Sequence, residues 1–177
     1  MGLEHVRIDP GNTVVTPLDF YDYPITHSMV GSLGWSLLFG LTYFSLRRYP
    51  RGAWVVAAGV LSHWVLDLIV HRPDLPIVPG GATRVGLGLW NSLPGTLVVE
   101  LGLFVIGTVL YLRATTAKDS IGHFALWVLL VLLVGVYVMN LLGSPPPSEK
   151  AIAIVGLGGW LFVPWAYWID RHRKSVT

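Results

Sequence analysis

His63, Asp67 and His71 stand four residues apart inside the otherwise apolar run from Ser62 to His71. On a helix, steps of four put the three side chains on one stripe, which drifts by about 40° and rises about 6 Å per step. Two imidazoles and a carboxylate on one face form a donor set for a divalent cation. Histidine-rich ligation makes zinc the first expectation, with manganese and iron behind it. In lipid, unpaired ionisable groups are costly, so such a stripe marks a candidate site. The plain alternative is a polar clasp between helices, each contact contributing about 1 kcal/mol. His71 is the weakest member, because it closes the run beside Arg72, where solvation would account for it.

Two further residues join the candidates. His27, in Thr26-His27-Ser28, opens an apolar stretch that precedes the His63 run. Glu100 lies about 9 Å into another apolar segment at 1.5 Å per residue. It is either a metal ligand or general base acting on a bound water, or a protonated carboxyl bonded to a neighbouring helix. Asp19 and Asp22 read as solvated loop residues, Thr26 as a cap for the following helix, and Asn91 and Ser92 as caps for a later one. Gly80-Gly81 and Gly86-Leu87-Gly88 fit no phosphate-binding pattern, and no Gly-x-Ser-x-Gly elbow is present. With no cysteine in the chain, thiolate catalysis, disulfides and Cys-based metal sites are excluded.

The elements that must position these groups are membrane spans. The 177 residues are 53% hydrophobic and only 12% charged, about half the charged fraction of an ordinary globular domain. Eight Trp and seven Tyr supply the amphipathic aromatics of a bilayer interface. A net charge of +2 with scattered basic residues leaves no stripe for nucleic acid. Apolar runs over about 27–46, 52–71, 94–112, 121–142 and 151–169 are each about 20 residues, enough to cross a bilayer. The expected fold is therefore all-α, a polytopic bundle of about five spans forming one transmembrane domain over 26–170. Residues 1–25 read as an extracytoplasmic arm or loop without a signal-peptide core, 72–95 as a Gly/Pro-rich loop, and 171–177 as a basic cytoplasmic tail.

Basic flanks set the orientation. Arg47, Arg48, Arg51, Arg113, Lys118, Arg171, Arg173 and Lys174 fall on one side, against Arg7, Arg72, Arg84 and Lys150 on the other. The larger set marks the cytoplasm, which puts the N-terminus outside and the C-terminus inside. His27, His63, Asp67, His71 and Glu100 then all fall in the outer half of the membrane.

The pattern Pro24-Ile25-Thr26-His27-Ser28, then a span, then Ser62-His63 with Asp67, resembles the THS and SHxxxD motifs of the predicted membrane-bound metal-dependent hydrolases of bacteria. The likeness covers about residues 20–112. It implies a polytopic inner-membrane protein with a divalent metal held by His27, His63 and Asp67. Members of that family carry upstream spans with a further histidine, and an acidic motif ahead of THS. This chain opens at Met1-Gly2-Leu3-Glu4, close to THS, so Asp19 or Asp22 would have to serve as the acidic position and the upstream histidine has no counterpart. A shortened variant, or a start that omits two spans, is the expectation. The function that follows is a membrane-embedded hydrolase acting on a lipid or lipid-linked ester or phosphoester. His27, His63 and Asp67 would be its ligands, Glu100 its base or fourth ligand, and His71 or Arg72 would stand behind them. The alternative is a non-enzymatic membrane protein, a small transporter component or an ion- or metal-sensing scaffold. The chain shows no internal repeat, and the polar groups lie off-centre, both of which weigh against transport.

Overall fold

The computed structural model describes residues 4–176. The chain divides into two compact units, one ending at Thr96 and the other beginning at Leu97.

The first unit is built on a helical hairpin, α1 (Met29–Arg47) and α2 (Pro50–Val70). Its tight turn follows from three residues. Arg48 adopts a left-handed backbone (φ 51°) and returns its N–H to the Phe44 carbonyl, which ends α1. Tyr49 is extended, and Pro50 at the first position of α2 needs no amide donor there. The two helices approach closely through small residues. A Cβ on Gly40 would meet the Ala57 methyl at 3.0 Å and the Ala53 carbonyl at 3.3 Å, and Ser36 donates to the Ala57 carbonyl at 2.7 Å. Small residues bring the backbones together where lipid supplies no hydrophobic drive between helices.

The segment read as an arm over residues 1–25 is instead an antiparallel ladder over much of its described length. Strands β1 (His5–Ile8) and β2 (Leu18–Asp22) pair Arg7 with Asp19 and Ile8 with Leu18. Pro10-Gly11-Asn12 does make a turn, with Gly11 at φ 93° and the Asn12 side chain donating to the Leu18 carbonyl. Four- and five-residue strands lie below what alternation can reveal in a polar stretch. The 72–95 loop likewise contains a two-residue ladder, β3 (Leu75–Pro76) with β4 (Arg84–Val85), and a 3-10 turn at Leu89–Asn91. It folds back on α2: the Leu87 N–H reaches the Leu68 carbonyl and the Gly88 N–H reaches the His71 carbonyl, satisfying acceptors that a helix end leaves free.

Helix α3 (Leu93–Ala114) begins with Ser92, whose hydroxyl accepts from the Gly95 N–H as expected of a cap. The second unit contains the rest of α3, β5 (Thr115–Ala117), α4 (Ser120–Leu142), α5 (Glu149–Gly158), a 3-10 turn, α6 (Phe162–Arg171) and β6 (Arg173–Ser175). Asp119 caps α4 by accepting from the Gly122 N–H. The fifth span is broken into α5 and α6 where Gly158-Gly159 and then Pro164 weaken the helix, yet together they run from Glu149 to Arg171. Ala125, Leu126 and Ile169 form the small core of this unit, with Tyr111, Leu129 and Trp165 around it. The tail expected over 171–177 is not simply a loose basic segment. β6 pairs with β5, and Arg173 is 7% exposed, donating to the Thr115 hydroxyl, the Thr115 carbonyl and the Gly122 carbonyl. A guanidinium has five donors in a fixed fork, so it ties three acceptors at once.

Five helical segments are long and apolar enough to cross a membrane: Met29–Arg47, Pro50–Val70, Leu93–Ala114, Ser120–Leu142 and Glu149–Arg171. Their outward faces carry side chains such as Leu37, Leu41, Trp54, Val98 and Val131, each more than half exposed, which suits a hydrocarbon solvent. The all-α polytopic expectation holds.

Candidate metal centre

In the first unit, residues 24–28 wrap over the start of α1 and bring His27 against α2. The wrapping is local hydrogen bonding. Ser28 caps α1, its hydroxyl accepting from the Gly31 N–H and donating to the Pro24 carbonyl. Ser32 donates to the Thr26 carbonyl and the Trp35 indole to the Ile25 carbonyl. Thr26 is thus not the cap; its hydroxyl lies 2.7 Å from Glu4 Oε2 and 2.6 Å from His27 Nδ1. Gly31 is required here, because any Cβ would strike the Ile25 carbonyl.

His27, His63 and Asp67 converge. His27 Nε2 is 3.3 Å from His63 Nε2 and 3.6 Å from Asp67 Oδ2, and His63 Nε2 is 3.1 Å from the same Oδ2. One donor atom from each of these residues therefore meets at a point. A tetrahedral zinc with ligand bonds of about 2.0–2.1 Å separates its ligand atoms by about 3.4 Å, and the three observed distances bracket that value. Asp67 Oδ2 is buried without an aligned hydrogen-bond donor, although His63 lies close. Two imidazoles that approach a carboxylate oxygen without aiming an N–H at it are placed as ligands of a common cation are. The residues fit the group on geometry and on donor chemistry.

The surroundings differ around the trio. Phe20, Tyr23 and His71 pack against the His27 ring, whereas the His63 side chain is 55% exposed. Burial holds the His27 imidazole below its usual pKa, with the nearby Asp67 carboxylate pulling the other way. The net direction favours the neutral ring that a metal requires.

His71 is not part of the convergence, and it is not solvated either. Helix α2 ends at Val70, and His71 takes an extended backbone (φ −68°, ψ 148°), so the four-residue stripe stops before reaching it. The residue is 2% exposed, with Nδ1 3.0 Å from Asp74 Oδ1 and its ring on Trp90 and Phe20. Asp19 also departs from its expected solvation. It is 1% exposed and bridges Arg7 and Arg72, while Arg72 also reaches Asp74. Two guanidiniums supply the charge pairing that makes a buried carboxylate tolerable. Asp22, by contrast, is half exposed beside His5, as a loop carboxylate would be. Glu100 belongs to the second unit, where it interacts with Tyr137 of α4.

The sequence pattern missed Glu4, which accepts the N–H groups of Ile25 and Thr26 as well as the Thr26 hydroxyl. Nothing in its spacing of 22 residues from Thr26 signals this. The family model described as YdjM inner membrane protein matches residues 8–143, which includes the hairpin, all three converging residues and the whole of α4. The chain belongs to the YdjM inner membrane protein family. With five apolar helices, this YdjM family member is a multi-pass inner membrane protein. No curated protein and no solved structure matches it.

Proposed function

We propose that this YdjM family member is a metal-dependent hydrolase of the membrane, with His27, His63 and Asp67 holding a divalent cation, zinc first. The observation that carries the reading is the meeting of three ligand atoms within 3.1–3.6 Å around a buried carboxylate oxygen that lacks an aligned donor. A bound cation supplies Lewis-acid activation of water and of a carbonyl or phosphoryl group. The chain supplies the rest. His27 and His63 present Nε2 atoms from two elements, and Asp67 adds a carboxylate oxygen. Phe20 and Tyr23 keep water from the His27 side, and exposed His63 leaves one flank open to a substrate.

Depth narrows the substrate. Asp67 and His63 lie about 4.5 and 10 Å from the end of α2 at 1.5 Å per residue, and His27 precedes α1. Groups at the mouths of spans meet the level where lipid ester and phosphoester bonds reside, so a lipid or lipid-linked ester or phosphoester is the substrate class. The balance of Lys and Arg supports reading this mouth as the outer one. The test is metal content of detergent-purified protein together with hydrolysis of lipid esters and phosphoesters. Wild type should retain about one cation per chain, and His63→Ala and Asp67→Ala should lose both metal and turnover. Metal retained by both variants would sink the centre, and metal without hydrolysis of any such lipid would sink the enzyme.

A further inference from the structure

The two histidines of the trio are held differently, and hydrogen counting shows what the difference does. Glu4 Oε1 accepts from the backbone N–H of Ile25 at 2.9 Å and of Thr26 at 2.7 Å, and Oε2 lies 2.7 Å from the Thr26 hydroxyl. Three donors therefore fix one carboxylate over residues 25 and 26. A carboxylate only accepts, so the single hydroxyl proton of Thr26 goes to Glu4. Thr26 Oγ1 is also 2.6 Å from His27 Nδ1. With its proton already committed, that oxygen has only lone pairs to offer, and His27 Nδ1 must be the donor. A neutral imidazole with its proton on Nδ1 has its lone pair on Nε2, the atom that faces His63 and Asp67.

We propose that Glu4 and Thr26 are positioning residues that lock His27 in the Nδ1–H tautomer and so present Nε2 as a preformed ligand. The inference rests on the metal-centre reading for its purpose, but the tautomer itself does not depend on a metal being bound. Outer hydrogen-bond partners of this kind orient ligating histidines and raise their basicity, and losing one costs about 10–100-fold in metal affinity. Thr26 is suited to the task because its backbone is engaged from both sides: its N–H donates to Glu4 and its carbonyl accepts from Ser32. Glu4 in turn joins the strand that follows it to the mouth of α1, so the residue directly ahead of β1 takes part in the site.

The experiment uses the full chain in detergent, labelled with 15N-histidine, and has two readouts. Long-range 1H–15N correlation assigns the tautomer of His27 in metal-free protein, with His27→Gln identifying its signals among the six histidines. Titration with Co2+ measures affinity. Wild type should show Nδ1–H at His27. Thr26→Val, which keeps the shape and loses the hydroxyl, should release the ring into a tautomer mixture and weaken Co2+ binding about 10–100-fold. Thr26→Ser should restore both, and Glu4→Ala should behave as Thr26→Val does. A His27 proton on Nε2 in wild type, or a Thr26→Val protein that keeps both tautomer and affinity, overturns the proposal. Wild type that shows Nδ1–H yet binds no Co2+ overturns the metal centre and leaves the tautomer lock standing.

Discussion

The two units put their polar groups to partly different uses. In the second unit, several fasten helix ends: Arg173 spends its donors on Thr115 and Gly122, Asp119 takes the His172 ring and the Gly122 N–H, and Asp170 takes the Tyr111 hydroxyl. In the first unit, one cluster does the same work, Asp19 with Arg7 and Arg72. The other, His27, His63 and Asp67, brings two imidazole nitrogens and a carboxylate oxygen within 3.1–3.6 Å of one another. Fastening sets cationic or N–H donors against acceptors at helix ends; three potential ligand atoms meeting at one point are what a cation would bind. Polarity within apolar helices is thus not itself the mark of a site. The mark is three potential ligand atoms, two imidazole nitrogens and a carboxylate oxygen, drawn to one point.

The largest effect should come from removing one side of that convergence. Asp67→Asn should lower Co2+ affinity by more than the roughly 10–100-fold attached to outer hydrogen-bond partners, whereas Asp170→Asn should leave Co2+ titrations unchanged. Equal losses in the two variants would erase the contrast between the units. Next in size is the fastening cluster of the first unit. Asp19→Ala leaves two arginines without their buried partner, but both reach water, so the loss should fall at or below the low end for broken buried pairs, about 2–3 kcal/mol in denaturant titrations in micelles. An unchanged midpoint would remove Asp19 from the fastening class. In the second unit, Arg173→Met should cost about 1–3 kcal/mol, because the Thr115 and Gly122 carbonyls lose their donor. Thermal unfolding monitored by circular dichroism would show it, with Co2+ affinity intact.

The smallest effect is electrostatic. The His172 ring and then the Gly122 N–H hold the Asp119 carboxyl below its ordinary pKa of 3.8. A carboxylate with a depressed folded pKa contributes stability above the unfolded value and loses it as the pH falls through the folded one. Stability of the α4 end should therefore decline below about pH 3.8, at values set by the lowered folded pKa. Asp119→Asn, which still caps but does not titrate, should abolish that component of a pH series of thermal midpoints. A series with the same acid limb in both proteins would assign the decline to other carboxylates.

The spans were legible because each is a run of about 20 apolar residues, a signal that needs no tertiary information. His63 and Asp67 were legible because both lie within α2, where a four-residue step fixes a shared face. His71 was misplaced by the same rule, applied one residue beyond the point where the helix ends. Asp19 looked solvated because its partners Arg7 and Arg72 come from a strand and from the far side of the hairpin, at separations that no periodicity encodes. Glu4 was invisible for the same reason. The β1–β2 and β5–β6 ladders were missed because strands of three to five residues draw their stability from partners across the fold, not from their own pattern.

The close approach of α1 and α2 at Gly40 reaches further than packing. His27 is carried by the chain entering α1, and His63 and Asp67 by α2, so the gap between the helices sets the span between the ligand atoms. Gly40, with the Ala57 methyl and the Ala53 carbonyl facing it, acts as a ruler for the trio, with Ala57 two turns or less before His63 on α2. A side chain of any size there would lengthen the ruler. Under the proposed metal centre, the fit of a cation would then depend in part on an apolar position outside the trio.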